Sequence, residues 1–127
     1  MTLKADTRTE LDAPSLALRF YACVDEGDVP GLAAMFTPSG SYHRPGYEPF
    51  VGQDEITRFY SHGSKIRSGR HTMTSVVATG TVMAVRGEFH GVLRDGNPVD
   101  LRFADFFELG PDQRFTRRDT FFFAPLA

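Results

Sequence analysis

The first third of the chain carries apolar residues at the three- and four-residue intervals of a helix. The face that this spacing defines is formed by Leu16, Ala17, Phe20, Cys23 and Val24. Asp12 precedes this face and is a suitable N-cap, with Pro14 tolerated in the first turn. Gly27 suits a left-handed position at the end of the helix, and Asp28 is a second N-cap. The pattern therefore predicts a long helix followed at once by another.

The region after Asp28 is predicted to be short and broken. The second helix has Leu32, Met35 and Phe36 on its inner side and ends before Pro38. Residues 41–51 are expected to form a short strand that enters an irregular loop, because they contain two prolines and a glycine. Residues 54–61 are predicted to form a third helix, whose inward side chains are Ile56, Phe59 and Tyr60.

The second half of the chain changes to β-branched and aromatic residues separated by turn sequences. Four strands are predicted, at residues 70–79, 81–93, 98–109 and 114–123. The Asp95-Gly96 pair between two of them is a strong hairpin signal. Helices followed by a long antiparallel meander predict an α+β fold with the helices on one face of the sheet.

Two carboxylates interrupt these apolar strands, Glu88 and Asp105. Burying a carboxylate is costly unless it is paired, protonated or used in chemistry, so both are candidate site residues. Alternation along a strand puts Arg86 and Glu88 on one face. Arg118 and Thr120 likewise share a face of the last strand.

Composition narrows the class of protein. The 127 residues suit one domain, residues 1–127, in which residues 1–11 are predicted to be a flexible, polar N-terminal arm. A net charge of −2 gives no electrostatic footprint for nucleic acid or an anionic membrane. No apolar run approaches the roughly 20 residues of a membrane helix, and the N-terminus does not resemble a signal peptide. We therefore expect a cytoplasmic protein that binds neither nucleic acid nor membrane.

Cysteine and histidine usage argues against metal and disulfide chemistry. Cys23 is the single cysteine, so no internal disulfide is possible. The four histidines lack the spacing of metal ligands, and no glycine loop suits a phosphate group. The sequence predicts no metal and no cofactor.

Three stretches of the chain resemble a known superfamily. They are residues 17–36 (ALRFYACVDEGDVPGLAAMF), 52–60 (GQDEITRFY) and 104–109 (ADFFEL). They are similar to the nuclear-transport-factor-2-like proteins, in particular the SnoaL-like branch, which is related to ketosteroid isomerases, polyketide cyclases and limonene epoxide hydrolases. The resemblance implies a cystatin-like cone, in which a curved, mostly antiparallel sheet wraps around a long N-terminal helix and two shorter helices. It also implies a deep pocket in the cone and a homodimer through the outer face of the sheet, for which the apolar candidates are Val85, Phe89, Phe106 and Phe121.

The resemblance to ketosteroid isomerases covers their site in part. Asp105 matches the protonated Asp that donates to the substrate oxyanion in those enzymes. Their general-base Asp falls at Arg44, and their oxyanion Tyr falls at Phe20, with Tyr21 adjacent. The isomerase site is therefore mostly absent.

The resemblance to epoxide hydrolases is also partial. Their Tyr-x-Asn motif matches Tyr42-His43-Arg44, and their Arg-x-Asp motif matches Arg86-Gly87-Glu88. Their second catalytic Asp matches Thr120, or Asp119 after a slip of one residue that would move the side chain to the other face.

Two functions follow from these residues. The first is a cofactor-independent enzyme of the isomerase, cyclase or epoxide-opening type, acting on an oxygenated hydrophobic molecule. Glu88 would be its general base, oriented by Arg86, and Asp105 and Tyr42 would be proton donors. The expected substrate contacts are Arg44, His71, Phe20, Tyr60, Phe103, Arg118, Thr120 and Phe122. The second function is a non-catalytic ligand-binding or dimerisation module, walled by Phe103, Phe107 and Phe122, with both acids held in salt bridges.

Overall fold

The computed structural model describes residues 11–123. Helix α1 spans Ala13–Glu26, and its N-cap Asp12 accepts a hydrogen bond from the backbone N–H of Ser15 at 2.8 Å. It ends at Gly27, whose φ of 73° lies in the left-handed region that glycine enters without strain. Helix α2 spans Val29–Ala34, and its N-cap Asp28 accepts from the Gly31 N–H. The predicted caps are confirmed.

Two helix boundaries differ from the prediction. Strand β1 (Phe36–His43) begins where the second helix was expected to continue, because the Phe36 ring packs edge-on against the rings of Phe20 and Phe115 instead of lying on a helix. Helix α3 (Gln53–Arg58) is shorter than predicted and continues into a π-helical turn, Phe59–Gly63. Tertiary packing therefore overrides local propensity at Phe36.

Six strands form one sheet. After β1 the strands are β2 (Phe50–Val51), β3 (Ile66–Thr79), β4 (Val82–Leu93), β5 (Pro98–Leu109) and β6 (Phe115–Phe122). Their order across the sheet is β2-β1-β6-β5-β4-β3. All neighbours pair antiparallel except β1 and β6, which are parallel. Helix α1 packs against this sheet, so the predicted α+β cone is confirmed.

Strand β3 begins four residues before its predicted start, and Gly69 explains the difference. The predicted strand starts at residue 70, but Ser68 and Gly69 already pair with Val92 and Gly91 of β4. A Cβ on Gly69 would overlap the Phe89 ring and the His90 carbonyl. The glycine therefore makes room for an aromatic ring on the inner face of the sheet.

The core lies between α1 and the inner face of the sheet and is built on Phe20. Its ring makes edge contacts with the rings of Phe36, Phe107 and Phe115 at centroid distances of 5.4–6.1 Å. Phe20 is completely buried and does not line the cavity described below. The prediction that Phe20 contacts substrate is therefore wrong. Phe20 lies on the face of α1 that meets the sheet, but its ring packs into the core and not against the cavity.

The outer face of the sheet differs from the predicted dimer surface. Phe106 and Phe121 are 46% and 54% exposed and contact each other at 5.9 Å. Val85 and Phe89 are buried on the inner face. Val85 lies directly opposite Asp105 and shares its face, and Phe89 is four residues from Val85 on the same strand and so points the same way. The dimer itself stays a prediction.

The predicted N-terminal arm falls outside the described residues, except for Leu11. The Leu11 backbone N–H donates to the Gln113 side-chain oxygen at 2.9 Å, and the Gln113 amide donates back to the Leu11 carbonyl at 2.7 Å. Leu11 also packs against the core, so the arm does not include it. Within residues 11–123, no helix is long and apolar enough to cross a membrane.

We expect Phe20→Ala to lower the free energy of unfolding by about 3–5 kcal/mol, because it removes a fully packed ring and leaves a cavity. Leu18→Ala in the same helix is the matched control. Leu18 is 61% exposed, so its loss should change the free energy by less than about 0.5 kcal/mol. Urea unfolding of both variants measures the difference, and equal losses would contradict this view of the core.

Candidate functional site

A cavity of about 380 Å³ opens between the C-terminal half of α1 and the inner face of the sheet. Its walls come from the end of α1, the π-helical turn and strands β1 and β3–β6. Nine of the twelve residues predicted from the sequence line it: Tyr42, Arg44, Tyr60, His71, Phe103, Asp105, Arg118, Thr120 and Phe122. Glu88, Arg86 and Phe20 do not.

Asp105 is the polar centre of the cavity wall and is completely buried. Its Oδ2 accepts hydrogen bonds from the Tyr21 hydroxyl at 2.5 Å and from Arg118 Nη2 at 3.0 Å, and its Oδ1 accepts from the Thr120 hydroxyl. Arg118 can only donate, so the pair is an ion pair. This arrangement makes Asp105 an acceptor, so the prediction that it donates a proton is wrong.

Arg118 connects Asp105 to the aromatic wall. Burial alone would lower the pKa of its guanidinium, but the Asp105 carboxylate raises that pKa well above its ordinary value. Nη1 donates to the Tyr60 hydroxyl at 2.7 Å, and the guanidinium carbon lies 4.4 Å from the centre of the Tyr42 ring and 4.8 Å from that of Phe20. Both terminal nitrogens of Arg118 are therefore already engaged within the protein.

Two buried tyrosines are held in their neutral form. Burial is the main cause that raises the pKa of the Tyr21 phenol well above its ordinary value, and the Asp105 carboxylate adds to it. Burial likewise raises the pKa of Tyr60, although the Arg118 charge opposes the shift.

A carboxylate–imidazole pair, Asp25 and His71, also lines the cavity. Asp25 Oδ1 is 2.6 Å from His71 Nδ1, and Asp25 Oδ2 accepts the backbone N–H of His71 at 2.8 Å. The His71 ring is held by stacking on Tyr21 at 5.0 Å and by contact with Phe89 at 4.7 Å. Among residues 11–123, nothing hydrogen-bonds Nε2 of His71, and the residue lines the cavity.

Arg44 lies near the cavity wall formed by Tyr42. Its Nη1 donates to the Tyr42 hydroxyl at 3.0 Å, and its Nε is buried without a partner. The Tyr42 ring is fully buried and stacks on Tyr60 with an angle of 12° between the ring planes. The Tyr42 hydroxyl accepts from Arg44 and also interacts with the hydroxyl of Tyr60.

Glu88 and Arg86 do not line the cavity, contrary to the prediction from the sequence. The Glu88 side chain is 51% exposed and lies 3.2 Å from His90 Nε2, while Arg86 donates to the Ser75 hydroxyl instead of to Glu88. Asp105 lies opposite Val85 and therefore points to the same face of the sheet as Val85. Glu88 is three residues from Val85 on the same strand, so it points to the other face. The prediction that they share a pocket is wrong.

Asp25 and Tyr21 are the site residues that the sequence analysis did not select. They stand four residues apart on α1, so both side chains project from one side of the helix. Tyr21 also continues the apolar face of α1, next to Phe20. The position of Asp25 and Tyr21 along the apolar face of α1 was therefore visible in the sequence, but no motif marked them as site residues.

The described part of the chain shows no candidate metal site. Between residues 11 and 123, no group of three or more His, Cys, Asp or Glu side chains is arranged to hold a metal ion.

Comparisons with known proteins agree with this architecture. The family model described as the SnoaL-like domain matches residues 17–118. A nuclear-transport-factor-2-like protein of unknown function from Burkholderia pseudomallei is similar in structure, with a TM-score of 0.79, 18% identity and coverage of 90% of this chain and 92% of its own. No curated protein matches the sequence significantly.

Two further structures are similar at low identity. One is the epoxide hydrolase/cyclase-like enzyme SalBIII of pyran ring formation in the polyether salinomycin, with a TM-score of 0.76, 17% identity and coverage of 87% of this chain and 90% of its own. The other is a ketosteroid isomerase-like protein from Erwinia carotovora, with a TM-score of 0.69, 20% identity and coverage of 89% and 95%. At these identities the likeness establishes the fold alone.

We expect Arg118→Met to lower the free energy of unfolding by about 3–5 kcal/mol, because it leaves the buried Asp105 charge without its partner. The double variant Arg118→Met with Asp105→Leu should recover part of this loss. Arg117→Met is the matched control, since Arg117 is 53% exposed in its ion pair with Asp119 and should be nearly neutral. Urea unfolding checks all three, and an Arg118→Met variant as stable as the control would refute a central role for the pair.

The raised pKa values of Tyr21 and Tyr60 predict a loss of stability in alkali. Below about pH 10 both phenols are neutral in the folded and unfolded chain; above it the unfolded chain loses protons that the folded protein retains. The free energy of unfolding should fall as the pH rises from about 10 towards the raised pKa values. Urea unfolding between about pH 8 and 11 measures this slope, which should be smaller in Tyr60→Phe. An unchanged slope would contradict the shift at Tyr60.

Proposed function

The chain belongs to the SnoaL-like domain family, and on that premise we propose that it is a small-molecule enzyme that transfers a proton without a cofactor. The substrate is an oxygenated, hydrophobic molecule bound in the cone cavity, and the reaction is of the isomerase, cyclase or epoxide-opening type. The family and the fold support this class of chemistry, since similar structures include an epoxide hydrolase/cyclase-like enzyme and a ketosteroid isomerase-like protein.

The observation that carries this proposal is the Asp25–His71 pair. Because the Asp25 carboxylate accepts at Nδ1, the imidazole proton lies on Nδ1 and the lone pair lies on Nε2, towards the cavity. The aromatic rings around His71 fix its orientation and exclude water from it. His71 is thus a general base of the kind that a carboxylate orients in many enzymes. It replaces Glu88 in that role.

The opposite wall supplies the electrophilic side of the reaction. Tyr42 receives a hydrogen bond from Arg44, and in this scheme it donates its own proton to a substrate oxygen as negative charge develops there. Asp105 takes no direct part in this scheme, because its three hydrogen bonds commit it to Tyr21, Arg118 and Thr120. It positions Tyr21, on which the imidazole stacks.

A non-catalytic ligand-binding module is the second candidate, and the saturated contacts of Asp105 favour it. This acid, the best match to an isomerase residue, is tied up in a buried ion pair, as expected for a structural group. The two candidates differ in one measurable property. A binder has no base whose removal changes a rate, whereas an enzyme depends on His71.

The elimination of nitrobenzisoxazole tests for such a base without knowledge of the natural substrate. A base removes the ring C–H proton, the N–O bond breaks, and a coloured cyano-nitrophenolate forms. We expect the protein to accelerate this reaction and His71→Gln to lower kcat/KM by about 100-fold or more. Asp25→Asn should also lower it, because the imidazole loses the negative charge that stabilises its protonated form.

The control is a second carboxylate–imidazole pair on the outer face. His90 Nδ1 lies 2.6 Å from Asp100 Oδ1, as close as the pair in the cavity, but the His90 side chain is 57% exposed. His90→Gln and Asp100→Asn should leave the rate unchanged. If His71→Gln is as active as the wild type, or His90→Gln is equally impaired, His71 is not the base and the binding module is favoured.

A further inference from the structure

We propose that the ligand of the cavity is a flat aromatic acid whose anionic oxygens are bound by Arg44. The inference rests on the proposed function in taking the cavity as the substrate site, and it adds the charge and shape of the substrate. It depends on three observations: the pairing of charges around the cavity, the unused hydrogen bonds of Arg44 and the rings that surround it.

Within residues 11–123, the cavity lining holds two arginines that are buried or half-buried, Arg44 and Arg118, and only Arg118 has a carboxylate partner. Arg118 is neutralised by Asp105, and Asp25 is engaged by His71. Among residues 11–123, Arg44 makes no ion pair, although it is only partly exposed. The other unpaired cations of the lining, Arg67 and Arg94, are solvent-exposed. A half-buried cation that has no carboxylate partner is stabilised when it binds an anion.

The hydrogen bonds of Arg44 are mostly unused. A guanidinium has five N–H donors in a planar fork that matches the two oxygens of a carboxylate. Only Nη1 has a partner within the described part of the chain, the Tyr42 hydroxyl, and Nε is buried with none. Arg118 also has a buried Nε without a partner, but its charge is paired with Asp105 and its two terminal nitrogens are bound to Asp105 and Tyr60. The structure therefore leaves one guanidinium free to bind an acid.

Aromatic rings hold this guanidinium in place. Its carbon lies 5.2–6.0 Å from the ring centres of four residues, which are Phe59, Phe122, Tyr47 and Tyr42. Such contacts restrict the guanidinium and displace water from it, which strengthens a charge-assisted hydrogen bond. Apolar and aromatic side chains also line the cavity, among them Tyr60, Phe89, Leu101 and Phe103. It suits a flat hydrocarbon body joined to the acidic group.

A pair of matched probes tests the inference by calorimetric titration. Naphthoate and naphthamide have nearly the same shape and differ in charge. We expect the wild-type protein to bind naphthoate at least about tenfold more tightly than naphthamide, and Arg44→Met to bind both equally. Arg67→Met removes an exposed cation of the same lining and should keep the preference, which separates a specific site from a general positive field.

Each outcome decides one claim. Equal affinity of the wild type for the two probes, or a preference that survives in Arg44→Met, would overturn the inference. The comparison of probes in the wild type stands even if Arg44→Met does not fold. His71→Gln should keep the preference for naphthoate while it loses elimination activity. Loss of the preference with elimination intact would reject only the anionic ligand, and the reverse result would reject only the proposed catalysis.

Discussion

The buried ion pair between Arg118 and Asp105 determines how helix α1 lies on the sheet. A fully buried carboxylate needs donors, and here they come from two directions: Arg118 from the neighbouring strand and Tyr21 from the helix. The second contact fixes the rotation of α1 about its axis. One turn further along, the same rotation brings Asp25 to His71. The pair at the centre thus positions a catalytic candidate that it does not touch.

Much of the fold could be predicted from the sequence because its signals are local. The caps Asp12, Gly27 and Asp28 act within one helical turn, and the Asp95-Gly96 hairpin acts between adjacent strands. The predictions that failed involve distant partners. Phe36 lies on a strand and not on the expected helix, because its ring packs against Phe115 far along the chain. The start of β3 depends on the Phe89 ring of β4, which occupies the space beside Gly69.

The site could be predicted only in part, for a related reason. Alternation shows which residues of one strand share a face, but the register with the next strand decides which face is inside. Asp105 was assigned to the inner face correctly and Glu88 was not, because the pairing of Val85 with Asp105 is not visible in either strand alone. Asp25 lay on a helix among several acids, and only its distance to His71 distinguishes it.

The parallel pairing of the first strand with the last one has a consequence for synthesis on the ribosome. Phe36 and Tyr42 of β1 find their partners Phe115 and Arg118 only after the rest of the sheet has been made. Arg118 also completes the ion pair, so nascent chains that lack β6 expose a carboxylate facing an unfinished core. Contacts of such long sequence separation slow folding. The strand of this sheet that is synthesised last is therefore the one that closes both the sheet and the cavity.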